Sequence, residues 1–527
     1  MNWLDYSLVV FYMLGMIFLG RMFTKNKESG DYFLGGRSFG WFSLCMSAMA
    51  TQLSVISFVS APAFVGLREG GGMKWLTFEF GVPIAMILVM TIIGPALWKS
   101  KVVSIYSFLE KRFNNTTRLL LSVVFMFSRS FATGVTVYAV SIILASLLHI
   151  SFIQTILIVG ITTVLYSLEG GMKAVVYSEV IQMIIKVLGI IIIVIYGLHY
   201  LGGWDVFVQN VDRSRLQAVD FSNWGLSGDE YGFWPMLLGG IFLYVSYYGT
   251  DQIQAQRILS SKDLGTVRKV LLFNGLLRFP ITFMYCFGGL VLGTLAMTNE
   301  GFRSKIPIVD GAMKTDLMVP VFIEHYLPHG VIGIIVVAII AAAMSAYSST
   351  LNSLSAVTME EFVKPNKQLT DTQYIYYSKG IALFWGAITM VLAFYVGDIA
   401  KTVIEAINKI GSIFYGPILG VFLLGILTKI AHARVVNMAL ILGVCLNVFL
   451  WQTQPQIFWF WWNFIGVGFT FIVGYFGSIL WPANNNPGIS ETYFNEQPNF
   501  KLKETWILLG YFILIIIISV TLPKWLV

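Results

Sequence analysis

Long apolar stretches separated by short polar ones run from one end of the chain to the other, and their length decides what they are. A run of about 20 predominantly apolar residues is what an α-helix needs to cross ~30 Å of hydrocarbon. Such runs fall near residues 4–22, 40–66, 74–97, 118–148, 150–167, 174–201, 234–250, 268–298, 328–358, 374–396, 403–428, 433–452, 458–481 and 505–526. They predict about fourteen spans. Continuous runs such as Leu188–Ile195 lack the alternation of a barrel strand, and a bilayer tolerates only helices or closed barrels. The pattern therefore predicts an all-α polytopic membrane protein. Trp3–Phe18 has neither a basic lead nor a small-residue cleavage site, so it reads as the first spanning helix and not as a cleaved signal.

Two segments are unusual as spans. Residues 40–66 contain Ser43, Ser47, Thr51, Gln52, Ser54, Ser57, Ser60 and Pro62, which predicts an interior, interrupted helix rather than a lipid-facing one. Residues 233–250 gather Gly239, Gly240 and Gly249 around Tyr244, Ser246, Tyr247 and Tyr248, and run into Asp251. A pair of interrupted polar helices at matching places in two halves marks a transporter of two inverted repeats with its site at the midplane; two kinked packing helices would leave the same pattern. On residues 331–359, Ser345, Ser348, Ser349 and Asn352 stand at i, i+3, i+4 and i+7 and so share one helical face. Ala338, Ala341 and Ala342 lie along the same side. A broken helix frees main-chain carbonyls, and neighbouring hydroxyls can complete an oxygen site for a small hard cation such as sodium. Close small-residue packing with back-bonded serines is the other reading of this stripe.

Composition agrees with lipid as the main solvent: 57% of the 527 residues are hydrophobic and 12% charged, against about a quarter charged in a soluble domain. The formal charge of +7 gathers in alternate loops: Arg21, Lys25, Lys27 and Arg37; Lys99, Lys101, Lys111 and Arg112; Arg257, Lys262, Arg268 and Lys269; Lys364 and Lys367; Lys501 and Lys503. These read as cytoplasmic loops of an inner-membrane protein with both termini extracytoplasmic, not as a nucleic-acid surface. Cys45, Cys286 and Cys445 sit in apolar segments without metal-type spacing and read as core residues. No phosphate-binding loop, nucleophile elbow or zinc-type histidine spacing is present, so neither ATP-driven transport nor an enzyme is expected.

Ionisable side chains inside spans cost about 2.5–3.5 kcal/mol each at the bilayer centre and therefore normally face a paired or aqueous site. Four stand out: Glu79, Arg129, Glu179 and Arg278. Glu179 either completes a cation site or snorkels to the interface. Glu79 and Arg278 either grip opposite ends of a polar solute or pair with each other. Arg129, between Ser128 and Ser130, reads as a structural organiser.

Several stretches together are shared with a known family: Gly30–Arg37 (GDYFLGGR), Glu110–Phe113 (EKRF), Gly170–Gln182 (GGMKAVVYSEVIQ), Asp251–Arg257 (DQIQAQR) and Ala341–Val357. On these the chain resembles the sodium/solute symporters, which include sodium-coupled sugar, sialic acid, monocarboxylate, iodide and multivitamin carriers. Tyr248–Arg257 looks more like the iodide, vitamin and monocarboxylate branch than the bacterial sugar branch. The resemblance implies a leucine-transporter-like core of two inverted five-helix repeats, with boundaries 1–39 for an extra helix and loop, 40–201 and 202–428 for the repeats, and 429–527 for three further helices. It implies a sodium site from the carbonyls of Ala50, Leu53 and Ala342 and the hydroxyl of Ser345; Ala346 stands where relatives often have a second hydroxyl. A second sodium site would use Glu179, Ser345, Ser348 and Ser349. The solute pocket would map to Ser57, Glu79, Tyr244, Arg278 and Asn408, with Tyr247 as an aromatic inner gate. Arg278 replaces a lysine of the sugar carriers, and a guanidinium can hold a carboxylate bidentately.

The function expected is sodium-coupled symport of a monosaccharide, sialic acid or small carboxylate by alternating access, in a chain acting as a monomer. The alternative is an anion or vitamin carrier of the iodide, monocarboxylate and multivitamin branch. A sensor on this fold would carry a soluble signalling domain, and none follows Val527. A channel would not concentrate its solute.

Overall fold

The protein is described as a computed structural model over residues 1–23, 29–228, 230–309, 311–395, 403–482 and 499–526. Lys25 and Lys27 lie outside these residues, as does the side chain of Asn408. Among the described residues, eleven helices are long and apolar enough to cross a membrane, or twelve if the pair Trp41–Gln52 and Val55–Gly66, bent by 74°, forms one span. Among the described residues the regular structure is helical apart from a two-strand ribbon, Ile308–Val309 with Ala312–Met313, and an isolated bridge between Phe39 and Ser261.

The fourteen spans expected do not emerge as fourteen separate helices. Phe152–Leu201 is one 50-residue element that joins the spans expected near 150–167 and 174–201. A straight helix of that length would be about 75 Å long, more than twice the hydrocarbon thickness. Gly171 divides it, with φ 54° and ψ −145° in the middle of the run. The position needs glycine on two counts: the backbone is left-handed, and a Cβ there would stand 2.5 Å from the Tyr32 carbonyl oxygen. Phe233–Gly249, at 17 residues, is short for a span.

Packing follows the inverted economy of a membrane protein. Trp3, Phe11 and Phe18 of the first helix are exposed while Asp5 on the same helix is fully buried. Asp5 accepts the main-chain N–H groups of Gly330 at 2.7 Å and Gly333 at 2.9 Å. These are unpaired donors at the start of Val331–Thr358, where a carboxylate also meets the positive end of the helix dipole. The first helix is thus tied to the helix that bears the serine stripe. Cys45 and Cys286 are buried as expected, but Cys445 is exposed; it sits on the outer side of Ala433–Thr453, where an apolar thiol is at no disadvantage.

After its bend, the broken helix approaches Leu264–Thr298 backbone to backbone. A Cβ on Gly66 would come within 2.4 Å of the Gly289 carbonyl, one on Gly289 within 2.5 Å of the Pro62 carbonyl, and one on Gly293 within 2.4 Å of the Gly66 carbonyl. All three would meet rigid main chain. Gly293→Val is therefore expected to destabilise the protein by about 1–3 kcal/mol, seen as a lower melting temperature in detergent, whereas Gly510→Ala, whose Cβ meets nothing within 4 Å, should leave it unchanged.

Candidate functional site: a cation cradle beside a cationic cavity

Trp41–Gln52 ends at Leu53, whose φ of −77° and ψ of 81° leave the helix, and Ser54 is extended before Val55–Phe58 resumes. The carbonyls near the break have lost their usual partners and need others. They find one on a different helix. The Nζ of Lys186, in Phe152–Leu201, donates to Ala50 O at 2.6 Å, Leu53 O at 3.0 Å and Ser345 Oγ at 2.6 Å. The Ser345 hydroxyl donates to Ala50 O at 3.0 Å, with Ala342 O at 3.2 Å also within reach. The four residues expected to surround sodium are thus brought together, and the cation among them is an ammonium.

One turn along the broken helix a second cluster is built around Glu179. Its carboxylate receives Arg257 Nη2 at 2.9 and 3.1 Å and Thr51 Oγ1 at 3.0 Å, with Ser47 and Ser349 donating as well. Arg257 also donates from Nε to Ser47 Oγ at 3.1 Å. Arg257 and Glu179 are essentially inaccessible. The cluster ties together the first core helix, Phe152–Leu201, Val331–Thr358 and the short helix Gln252–Leu259. Of the hydroxyls expected to join Glu179 around a second sodium, Ser349 donates to it, but Ser348 turns to the Ser345 carbonyl at 3.2 Å. The positive charge facing this carboxylate is Arg257.

Beside both clusters lies a cavity of about 180 Å³. Ser57, Tyr244, Tyr247 and Arg278 line it as expected, and so do Arg129 and Tyr415. Glu79 does not line it. Its carboxylate is consumed by Arg278 Nε at 2.9 Å, Tyr244 OH at 3.0 Å and Thr282 Oγ1 at 3.1 Å. Of the two readings of Glu79 and Arg278, the mutual pair is the one found. Arg129 pairs with Asp251 and donates to Tyr415 OH, and its guanidinium lies 5.1 Å from the Tyr415 ring centroid and 5.6 Å from that of Tyr247. It organises structure as expected, yet it also faces the cavity, which had not been anticipated.

Lys186 and Arg257 are the residues that sequence reasoning missed. Lys186 lies seven residues after Glu179, two turns along the same helical face, and that spacing was the available signal. Arg257 was counted among loop cations, although it belongs to a short helix directed into the core.

The fold and site define a secondary transporter: a broken helix, an oxygen cradle at the break and a solute-sized cavity next to it. A family profile described as Sodium:solute symporter family matches residues 32–443, and the chain belongs to that family. It is similar to sodium-coupled monocarboxylate transporter 2 of Bos taurus, 28% identical over 502 residues that cover 92% of this chain and 76% of the relative. The sodium/iodide cotransporter of Homo sapiens is 26% identical over 428 residues, 81% of this chain and 65% of the relative. Among solved structures, a Na+-coupled sialic acid symporter in a substrate-bound outward-open state superposes with a TM-score of 0.82 at 23% identity, covering 92% of this chain and 99% of that one. The chain is accordingly a multi-pass membrane transporter and not an enzyme, with sodium as the coupling ion and a small solute as cargo.

Removing the Glu179 carboxylate strands the Arg257 guanidinium without a counter-charge. Glu179→Ala is expected to cost roughly 3–5 kcal/mol, read as a large fall in melting temperature. An unchanged melting temperature would mean that the pair carries no structural weight.

Proposed function

We propose that this symporter carries a small organic carboxylate, bound in the cavity with its anionic end toward Arg278 and Arg129. One observation carries the reading: two guanidinium groups line the cavity, while no described lining residue is a carboxylate. Their counter-charges, Glu79 and Asp251, stand behind the wall. A net-neutral pair that turns its cationic partner inward favours an anion without the cost of an uncompensated buried charge. The rest of the wall mixes hydroxyls such as Ser57 and Thr136 with Trp75, Phe78, Tyr247 and Tyr285, which suits a short chain or ring carrying a few polar groups. A sialic acid or another carboxylated sugar fits the same chemistry. A neutral monosaccharide leaves the cationic wall unanswered.

Sodium binds at Ala50, Leu53, Ala342 and Ser345 in this reading, ties the broken helix to the serine stripe, and favours the conformation open to solute. The inverted repeats at 40–201 and 202–428 then rock about the site. One sodium ion driven by 100 mV and a tenfold gradient supplies about 3.7 kcal/mol, but carrying a monovalent carboxylate against the same potential offsets about 2.3 kcal/mol of it, which leaves roughly tenfold accumulation. No second ion is invoked, because Arg257 already answers Glu179. The chain works as a monomer, a reading supported by the cavity and both clusters lying within one chain, and it sits in the inner membrane with both termini extracytoplasmic, a reading supported by the Lys and Arg of alternate loops.

The test is sodium-driven uptake into proteoliposomes, with short monocarboxylates, sialic acids and monosaccharides as competitors. Carboxylates should compete, and neutral sugars should not. The reverse ranking sinks the proposal. Arg278→Lys keeps the charge facing Glu79 but loses the planar fork, and should raise the half-saturating carboxylate concentration by about tenfold or more.

A further inference from the structure

The ions of a symporter must come and go, yet the oxygens read as the sodium site are held by a side chain anchored to the chain itself. Lys186 is fully buried. Its three hydrogen-bond partners are two main-chain carbonyls and one hydroxyl, and an ammonium has three protons to give. All three acceptors are uncharged. The acceptor set, two main-chain carbonyls and a hydroxyl with no carboxylate among them, is also what a monovalent metal ion would use. Glu179, two turns earlier on the same helix, is committed to Arg257 at 2.9 Å.

The surrounding packing holds the lysine in this place. One turn beyond Lys186, a Cβ on Gly189 would approach both Ala338 Cβ and Phe58 Cζ to 2.9 Å, so its helix is pressed against the serine-stripe helix and the broken helix together. The ammonium then does between Ala50, Leu53 and Ser345 what sodium would do: it joins the break to the stripe. Two cations cannot share these oxygens, because their repulsion at hydrogen-bond distance is unscreened in a dry interior.

We propose that Lys186 is a tethered cation that competes with sodium for the cradle of Ala50, Leu53 and Ser345, so that sodium reaches these oxygens only when the ammonium has withdrawn. Lys186 is thereby the residue that sets how much sodium the transporter needs. The inference rests on the symporter reading and deepens it, since it concerns the ion at that same site.

Sodium-dependent thermal stabilisation of the purified protein tests it, with potassium at equal ionic strength as the reference. Lys186→Met removes the competing charge and keeps an unbranched side chain. It is expected to reach half-maximal stabilisation at a sodium concentration at least about tenfold below that of the wild type, and Ser345→Ala added to it should abolish the gain. Equal sodium dependence in the wild type and Lys186→Met overturns the proposal. If Lys186→Met does not fold, Lys186→Gln, which can still donate to the carbonyls, replaces it under the same criteria. If neither folds, wild type and Ser345→Ala decide: sodium stabilisation of the wild type that is weakened or lost in Ser345→Ala supports the proposal, and an equal response in both overturns it, because sodium then binds elsewhere. Concentrative uptake by the wild type is measured separately. Its absence would sink the symporter reading while leaving the binding result to stand.

Discussion

A peptide carbonyl exposed inside a membrane has no water to turn to, and the break at Leu53–Ser54 exposes carbonyls in the middle of the fold. Everything around the site can be understood as an answer to that exposure. The carbonyls of Ala50 and Leu53 attract a cation, and the helices that supply the cation and the hydroxyl must come close enough to reach. Close approach in turn requires small residues, which explains Gly189 where the lysine-bearing helix meets Ala338 and Phe58, while Gly66, Gly289 and Gly293 let the far half of the broken helix meet Leu264–Thr298 main chain to main chain. A continuous helix through residues 50–54 would need none of this and could bind nothing.

The two buried clusters divide the labour differently. Glu179 and Arg257 form a charge-balanced pair that is satisfied from every side by Ser47, Thr51 and Ser349, and such a pair acts as a fastener between helices. The Lys186 cluster has hydrogen bonds but no opposite charge among its direct partners, so it is held less firmly. A carrier needs both kinds of junction, one that persists through the cycle and one that can be remade. The cavity wall repeats the lesson in another form, with Glu79 and Asp251 set behind Arg278 and Arg129 so that each pair is neutral as a whole yet presents only one of its signs to the cavity.

Much of this could be read from residue order, and the parts that could not share a cause. Polar residues crowded into 40–66 announced the break, and the spacing of Ser345, Ser348 and Ser349 announced the facing ridge, because both signals are local along one helix. Lys186 and Arg257 act on partners far away in the chain, where spacing along one helix gives only a hint. Arg257 was misplaced because the positive-inside rule counts charges without asking whether a short helix turns them inward. Glu79 and Arg278 were correctly singled out, but a sequence cannot say whether two opposite charges bind a third party or each other. The spans and the separate helices differ in number for a simpler reason. At Gly171 the chain changes direction without losing helical hydrogen bonding on either side, so two membrane crossings appear as one continuous element.

The grip of Asp5 on the start of Val331–Thr358 couples the outermost helix to the interior of the fold. Asp5 caps the same helix that carries Ser345, while its own helix shows Trp3, Phe11 and Phe18 to the acyl chains. A tilt or lift of this outer helix with bilayer thickness is therefore carried along that helix toward the ridge that bears Ser345. The peripheral helix is thereby a lever on the serine-bearing helix.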